Sequence, residues 1–238
     1  LYDSTKGPEW TNNDGWKATD TPCQWKGVTC QDGHVTAIDL PNNNLVGDVP
    51  PQIGALINLQ ELNLNDNQIS GAIPTTIEHL NNLETLNLAN NALTGSLPME
   101  LGDATSLQTV NLANNQISGA IPDLNGLTQL QTLNLSENLL NGPVPDLTDL
   151  PALQTLDISG EDQQVCQDSD TDYGNLPVGN LDECPTDNQL PIAAFTATPW
   201  LSVDLVKLAD GTLRGFPASF PEGRPLELTP LNAQAMGV

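Results

Sequence analysis

Leucine and other aliphatic residues recur along the middle of this chain at one long interval. Aligned on them, units begin at Val35, Leu59, Leu83, Leu107, Leu130 and Leu153, spaced 24, 24, 24, 23 and 23 residues apart. A period in this range outranks local propensity, because it marks one supersecondary unit repeated end to end. Within a unit the polarity alternates, as in Leu62, Asn63, Leu64. A period of two predicts a short strand with leucines inward and its polar residue outward. Stacked units then make a parallel sheet with neighbouring strands about 4.8 Å apart.

Three further positions recur, and each has a structural task. Asn43, Asn67, Asn91, Asn115 and Asn138 stand just after the strand, where an inward amide satisfies backbone groups that would otherwise be buried and unpaired. Gly47, Gly71, Gly95, Gly119 and Gly142 permit a tight backbone turn. The prolines three residues later suit an irregular, extended return. One such unit cannot bury its own apolar face, so the units must stack, and the ends of the stack need caps.

The second unit reads LQELNLNDNQISGAIPTTIEHLNN and the third LETLNLANNALTGSLPMELGDATS. Both follow L-x-x-L-x-L-x-x-N-x-L-x-G-x-[IL]-P, with Ile69 standing for one leucine. This resembles the plant-type leucine-rich repeat, a class found in receptor-kinase ectodomains, polygalacturonase inhibitors and many bacterial surface proteins. The resemblance covers residues 35–158, and the last unit fades after Leu156 and Ile158. It implies an α/β solenoid: a right-handed superhelix with a short parallel concave sheet and an irregular or 3₁₀ convex side.

Ahead of the repeats, PCQWKGVTC holds Cys23 and Cys30 and follows Trp10 and Trp16. It resembles the amino-terminal cap of plant-type repeat proteins, W…D-x-P-C-x-W-x-G-V-x-C. The resemblance implies a Cys23–Cys30 disulfide, with Trp10, Trp16 and Trp25 as apolar lids over the first strand. Cys166 and Cys184 follow the last strand and are expected to close the other end in the same manner. A zinc site is the competing reading, but neither the spacing nor the nearby residues supply four good ligands. Oxidised cysteines imply a secreted or cell-surface protein. The expected organisation is a cap at 1–34, repeats at 35–160 (five full, one partial), a disulfide cap at 161–185, and a linker with an incomplete or disordered tail at 186–238.

Composition narrows the range of functions. The 238 residues include 30 Asp or Glu and 6 Lys or Arg, a formal charge of −24. Phosphate recognition needs a basic footprint, so nucleic acid is excluded as a partner. With 38% hydrophobic residues the chain can build a core, and with 4% aromatics that core must be aliphatic. No run reaches the roughly 18–20 apolar residues of a membrane span. Leu1 as first residue reads as a cut inside a longer precursor.

The outward strand positions define a candidate binding face, the usual one in such solenoids. Its columns are Gln60, Gln108, Gln131 and Gln154; then Glu61, Thr85, Thr109, Thr132 and Thr155; then Asp39, Asn63, Asn87, Asn111, Asn134 and Asp157. Asp66, Asn90, Asn114 and Glu137 follow the strands. These are acids, amides and hydroxyls, without the Trp, Tyr and Arg anchors that concentrate energy in protein interfaces. The resemblance implies a non-catalytic extracellular binding module, and the face implies a protein or carbohydrate ligand that is polar or cationic. Three alternatives stand beside it: inhibition of polysaccharide-degrading enzymes, ice binding by the threonine file, and a spacer whose sheet is merely solvated.

Chemistry has little foothold. His34 and His79 are the neutral-pH bases, and they occupy non-equivalent places in different units. Carboxylates are abundant, yet no glycosidase-like pair is singled out. We therefore expect no enzyme activity and no cofactor. Asp168, Asp170 and Asp172, with Asp182 and Glu183, are a weak calcium candidate. Gly174 falls one place late for an EF-hand loop, and Gly179 stands where its bidentate Glu belongs; a solvated acidic loop is the plainer reading. Asn134 to Ser136 forms one glycosylation sequon.

Near the carboxyl end the charge changes: residues 1–198 carry a net −23, and 199–238 a net −1. IAAFTATP, at 192–199, resembles the first strand of polycystic-kidney-disease-type immunoglobulin-like domains. The 40 residues from Pro199 onward fall short of a sandwich of roughly 100. Either that domain is truncated, or the reading frame was lost after Pro199.

Overall fold

A computed structural model describes residues 1–166, Cys184, and the backbone of Val203–Lys207, Leu213–Pro217 and Leu226–Leu228. The chain divides into two compact units, Leu1–Cys184 and Pro185–Val238. The first is built on a seven-stranded sheet. It opens with an antiparallel hairpin, Val28–Gln31 against His34–Asp39. Asp32 and Gly33 turn it with φ of 52° and 81°, the two positive values that an Asp-Gly hairpin turn requires.

His34–Asp39 is the strand of rung 1. Parallel to it follow rungs 2 to 6: Glu61–Asn63, Thr85–Asn87, Thr109–Asn111, Thr132–Asn134 and Thr155–Asp157. The register is strict. Ile38, Leu62, Leu86, Val110, Leu133 and Leu156 lie in one file, and all are buried. The central residue of each strand therefore faces the core, while its neighbours face out, as the two-residue alternation predicts.

The bend after each strand is held by the recurring asparagine. Asn91 Nδ2 donates to the carbonyls of Leu64, Leu88 and Ala89 at 3.0, 3.1 and 3.1 Å, and its Oδ1 accepts the Ile69 N–H at 2.9 Å. Asn67, Asn115 and Asn138 repeat this pattern on rungs 2, 4 and 5. Each amide joins its own rung to the preceding one. At the cap, Asn43 exchanges bonds with the Asn12 backbone instead. At the far end the equivalent place is Glu161, and Gln163 takes over. Its longer side chain reaches the carbonyls of Leu135, Ile158 and Ser159 at 3.1, 2.9 and 2.9 Å. Its Oε1 is buried with no hydrogen-bond partner.

The return side reflects unit length. Gly71, Gly95, Gly119 and Gly142 all have φ between 71° and 84°. At Gly47 a side chain is barred outright, since a Cβ would lie 2.1 Å from the Ser4 carbonyl oxygen. Short parallel strands follow the bends, Val46–Asp48 with Gln68–Ser70, and Ser118–Gly119 with Leu139–Pro143 and Gln164–Cys166. The three 24-residue units then form 3₁₀ turns at Pro51–Ala55, Thr75–His79 and Met99–Asp103. The two 23-residue units have none there. Instead Asp123 and Asp146 accept the N–H of Asn125 and Thr148, each at 2.9 Å, a side-chain turn that replaces a backbone one.

The amino-terminal cap closes the core with aromatics. Trp10 and Trp16 are buried and Trp25 packs against them partly covered. Trp10 meets Trp16 edge to face at 5.0 Å, and Trp16 lies 4.8 Å from Trp25. The buried indoles remain satisfied: Trp10 Nε1 donates to the Thr5 carbonyl and Trp16 Nε1 to that of Lys26, both at 2.8 Å. Disulfides join Cys23 to Cys30 and Cys166 to Cys184, with Cα separations of 5.4 and 4.8 Å. In the second unit, Val203–Lys207, Leu213–Pro217 and Leu226–Leu228 form an antiparallel sheet with Leu213–Pro217 in the centre. The IAAFTATP segment and the calcium candidate Asp168, Asp170 and Asp172 lie outside the described residues.

Two outcomes are expected. Asn115→Leu leaves the buried Leu93 N–H unpaired and takes one of two donors from each of the Leu88, Leu112 and Ala113 carbonyls, so urea unfolding of the variant should show a loss of about 2 kcal/mol or more, at about 1–3 kcal/mol for the unmet group and about 0.5–1.5 for each lost bond. Thr109→Val, on the exposed side of the same rung, should change stability by no more than about 0.5 kcal/mol. Asp146 gives a pH signature. The backbone N–H of Thr148, and secondarily its hydroxyl, hold the Asp146 carboxyl below its ordinary value. That contribution is present above the ordinary carboxylate range and is lost as pH falls through the lowered folded value. Asp146→Ala should therefore lower Tm at pH 7, and the difference from the parent protein should close in acid.

Candidate binding face

The sheet brings all three expected columns onto one surface. Glu61, Thr85, Thr109, Thr132 and Thr155 lie in direct register, continued by Ala37 on rung 1. Asp39, Asn63, Asn87, Asn111, Asn134 and Asp157 form the second file by the same pairing. Gln60, Gln108, Gln131 and Gln154 precede the strands, and backbone bonds tie them rung to rung. That file also contains Glu84, which the column of glutamines passes over; its N–H donates to the Gln60 carbonyl at 2.8 Å.

The columns differ in how far the fold uses them. In the Asn/Asp file, Oδ1 accepts the N–H two residues ahead: Asn87 from Ala89 at 3.3 Å, Asn111 from Ala113 at 3.2 Å, Asn134 from Ser136 at 3.0 Å and Asp157 from Ser159 at 3.1 Å. The hydroxyls of Ser136 and Ser159 add bonds of 2.7 Å to the same oxygens. These side-chain turns lead into the left-handed residues Asp66, Asn90, Asn114 and Glu137, with φ of 52–56°. The sequon asparagine Asn134 is thus engaged through its oxygen. Amide bonds also run across rungs, from Asn63 to Asp39 at 2.8 Å, Asn90 to Asp66 at 2.8 Å and Asn114 to Asn90 at 2.9 Å.

The other two files are uncommitted. Among the described residues, no side-chain hydrogen bond or ion pair engages Gln60, Glu61, Glu84 or Thr85, nor Gln108, Thr109, Gln131, Thr132, Gln154 or Thr155. Charge is uneven along them. Across the whole face, Asp39, Glu61, Asp66 and Glu84 lie on rungs 1 to 3, whereas rungs 4 and 5 carry neutral Gln108, Thr109, Asn111, Gln131, Thr132 and Asn134, with Glu137 as their one acid. The ion pairs among the described residues, Lys17 with Asp3 and His79 with Glu78, lie elsewhere. His79 is an exposed residue of a return turn, and exposed His34 starts rung 1. Among the described residues no three His, Cys, Asp or Glu side chains converge as metal ligands.

A second concavity was not foreseen. An apolar hollow of about 240 Å³ lies beside the amino-terminal cap, lined by Trp16, Pro22, Trp25, Val28, Pro50 and Leu56 among others. Its walls come from segments distant in sequence, and Gln52 is its one side chain with a hydrogen-bonding end apart from the indoles.

Parallel rungs, an asparagine ladder and disulfide-closed ends together define a leucine-rich-repeat solenoid. The chain belongs to the leucine-rich repeat region family, whose model matches residues 37–207. A probable inactive leucine-rich repeat receptor-like protein kinase of Arabidopsis thaliana is 47% identical over 51 residues, which are 21% of this chain and 7% of that relative. The chain therefore spans only a small part of the curated relatives it matches. The BIR2 ectodomain of Arabidopsis thaliana superposes with a TM-score of 0.62 at 27% identity, covering 72% of this chain and 93% of that one. The plant peptide hormone receptor RGFR1, solved in complex with RGF2, superposes with a TM-score of 0.53 at 37% identity, covering 56% of this chain and 21% of that one.

Proposed function

We propose that this chain is a non-catalytic extracellular binding module whose concave face engages a polypeptide partner. The observation that carries this reading is the pair of uncommitted files, Gln60 to Gln154 and Glu61 to Thr155. They present amides, hydroxyls and carboxylates at strand spacing and are held rigid by a ladder that uses none of them. Likeness to a plant peptide hormone receptor solved in complex with RGF2 supports a protein ligand. Two disulfides support a secreted or cell-surface location. Because rungs 1 to 3 carry acids and the solenoid no lysine or arginine, the partner is polar or cationic where it crosses Glu61 and Glu84.

An array of secreted proteins, synthetic peptides and glycans, probed with the full chain in 50 and 500 mM NaCl, tests this reading. At least one polypeptide should be retained in high salt. Glu61→Lys with Glu84→Lys, or Thr109→Trp, should weaken its binding by about tenfold or more with an unchanged circular dichroism spectrum. Binding restricted to basic probes and lost in 500 mM NaCl would reduce the face to a screened electrostatic surface. Equal binding by parent and variants would move the partner off this face.

A further inference from the structure

Between Lys26 and Lys207 the chain contains no lysine or arginine. Among the described residues of the repeats, Glu78 is the one carboxylate with a basic side chain in contact, His79. The acids are not evenly divided. Residues 59–129, the units of rungs 2 to 4, contain seven acids, while the segment 130–162, less than half as long and carrying rungs 5 and 6, contains six. Asp123 and Asp146 hold equivalent places in successive units. The Glu137 N–H donates to the Ser159 carbonyl at 2.7 Å, which sets Glu137 against the strand leading into Glu161 and Asp162.

Rung 6 is less deeply buried than the middle of the stack, and rung 5 lies directly on it. Their units lack the 3₁₀ turns that pack on one another at Pro51–Ala55, Thr75–His79 and Met99–Asp103. Leu153, Leu156 and Ile158 are 8, 5 and 4% exposed, against 1% or less for Leu83, Leu86 and Leu88. The final lock, Gln163, keeps one buried oxygen unpaired. A terminal repeat has a repeat neighbour on one side only, so its opening is separable from that of the rest.

We propose that rungs 5 and 6 are an ionic-strength-dependent end of the solenoid, opening together in low salt while the cap and rungs 1 to 4 remain closed. In 10 mM salt the screening length is about 30 Å, so each carboxylate of the two rungs acts on all the others; in 1 M salt it is about 3 Å, and that repulsion is removed. The amino-terminal cap has five acids against three lysines and a buried aromatic cluster, so it is little affected.

Hydrogen–deuterium exchange of the full, disulfide-bonded chain in 10 mM and 1 M NaCl tests this directly. Amides of residues 130–166 should exchange about tenfold faster or more in the dilute salt, and those of 59–112 should change by less than about threefold. In the variant Glu137→Gln, Asp149→Asn, Glu161→Gln, Asp162→Asn, which spares the turn-capping Asp123, Asp146 and Asp157, the acceleration should disappear. A uniform change across all rungs, no change between the two salts, or an acceleration undiminished in the variant would each overturn the proposal. If the variant does not fold, the comparison of rungs in the parent protein decides alone.

Discussion

The structure depends on one buried amide repeated at rung spacing. Where each short strand bends toward the return side, carbonyls of two successive rungs point inward with no ladder partner. Leaving a buried peptide group unpaired costs about as much as a favourable contact contributes, so a solenoid of short strands needs an internal donor at every bend. An asparagine side chain carries the same amide as the backbone and is short enough to stay inside the curve. Asn67, Asn91, Asn115 and Asn138 each donate to three carbonyls. Their oxygens take a backbone N–H from the preceding unit. That double engagement fixes strand register, and register places the leucines in one file.

Register in turn divides the outer surface. The residue after each central leucine starts the bend, and its side-chain oxygen is drawn into a turn with the N–H two positions on. Asn87, Asn111 and Asn134 are therefore architectural at one end and exposed at the other. The residues before the central leucine meet no such demand, and they vary most in chemistry: alanine, glutamate and threonine in one file, threonine, glutamine and glutamate in the next. A surface whose backbone is fixed and whose side chains are free of structural duty suits recognition, since little ordering remains to be done on binding.

How much of this was legible in the sequence follows from what periodicity encodes. Strand positions, the inward asparagines and the turn glycines recur at fixed offsets, so alignment places them correctly, as at Leu86, Asn91 and Gly95. Departures from the period are harder to read. Gln163 acts two places beyond the expected position because its extra methylene makes up the distance, and no spacing rule points to it. The loss of one residue in the last two units shows in the count, but its replacement by Asp123 and Asp146 turns shows only in coordinates. Glu84 escaped notice because it breaks a column of glutamines. The apolar hollow joins residues from the cap and the first return turn, which share no motif.

The two ends solve the same problem by different physics. A solenoid cut anywhere exposes a cross-section of leucines and a row of unpaired strand groups. At the amino end the antiparallel hairpin supplies a strand that pairs with rung 1, and Trp10 and Trp16 cover the cross-section with large planar side chains whose N–H groups still find carbonyls. Aromatics bury much surface per residue, so a short segment suffices there. At the other end the chain leaves rung 6 with Gln163 in place of the asparagine, then crosses to Gln164–Cys166, which pairs with Leu139–Pro143. Among the described residues that closure combines the Gln163 amide, Val165 packed on the core and the Cys166–Cys184 disulfide, without a tryptophan. Apolar cover depends weakly on ionic strength, whereas the carboxylates of Glu161 and Asp162 beside the Gln163 lock respond to it directly, so the two ends of the repeat stack differ both in what closes them and in what the solution can change.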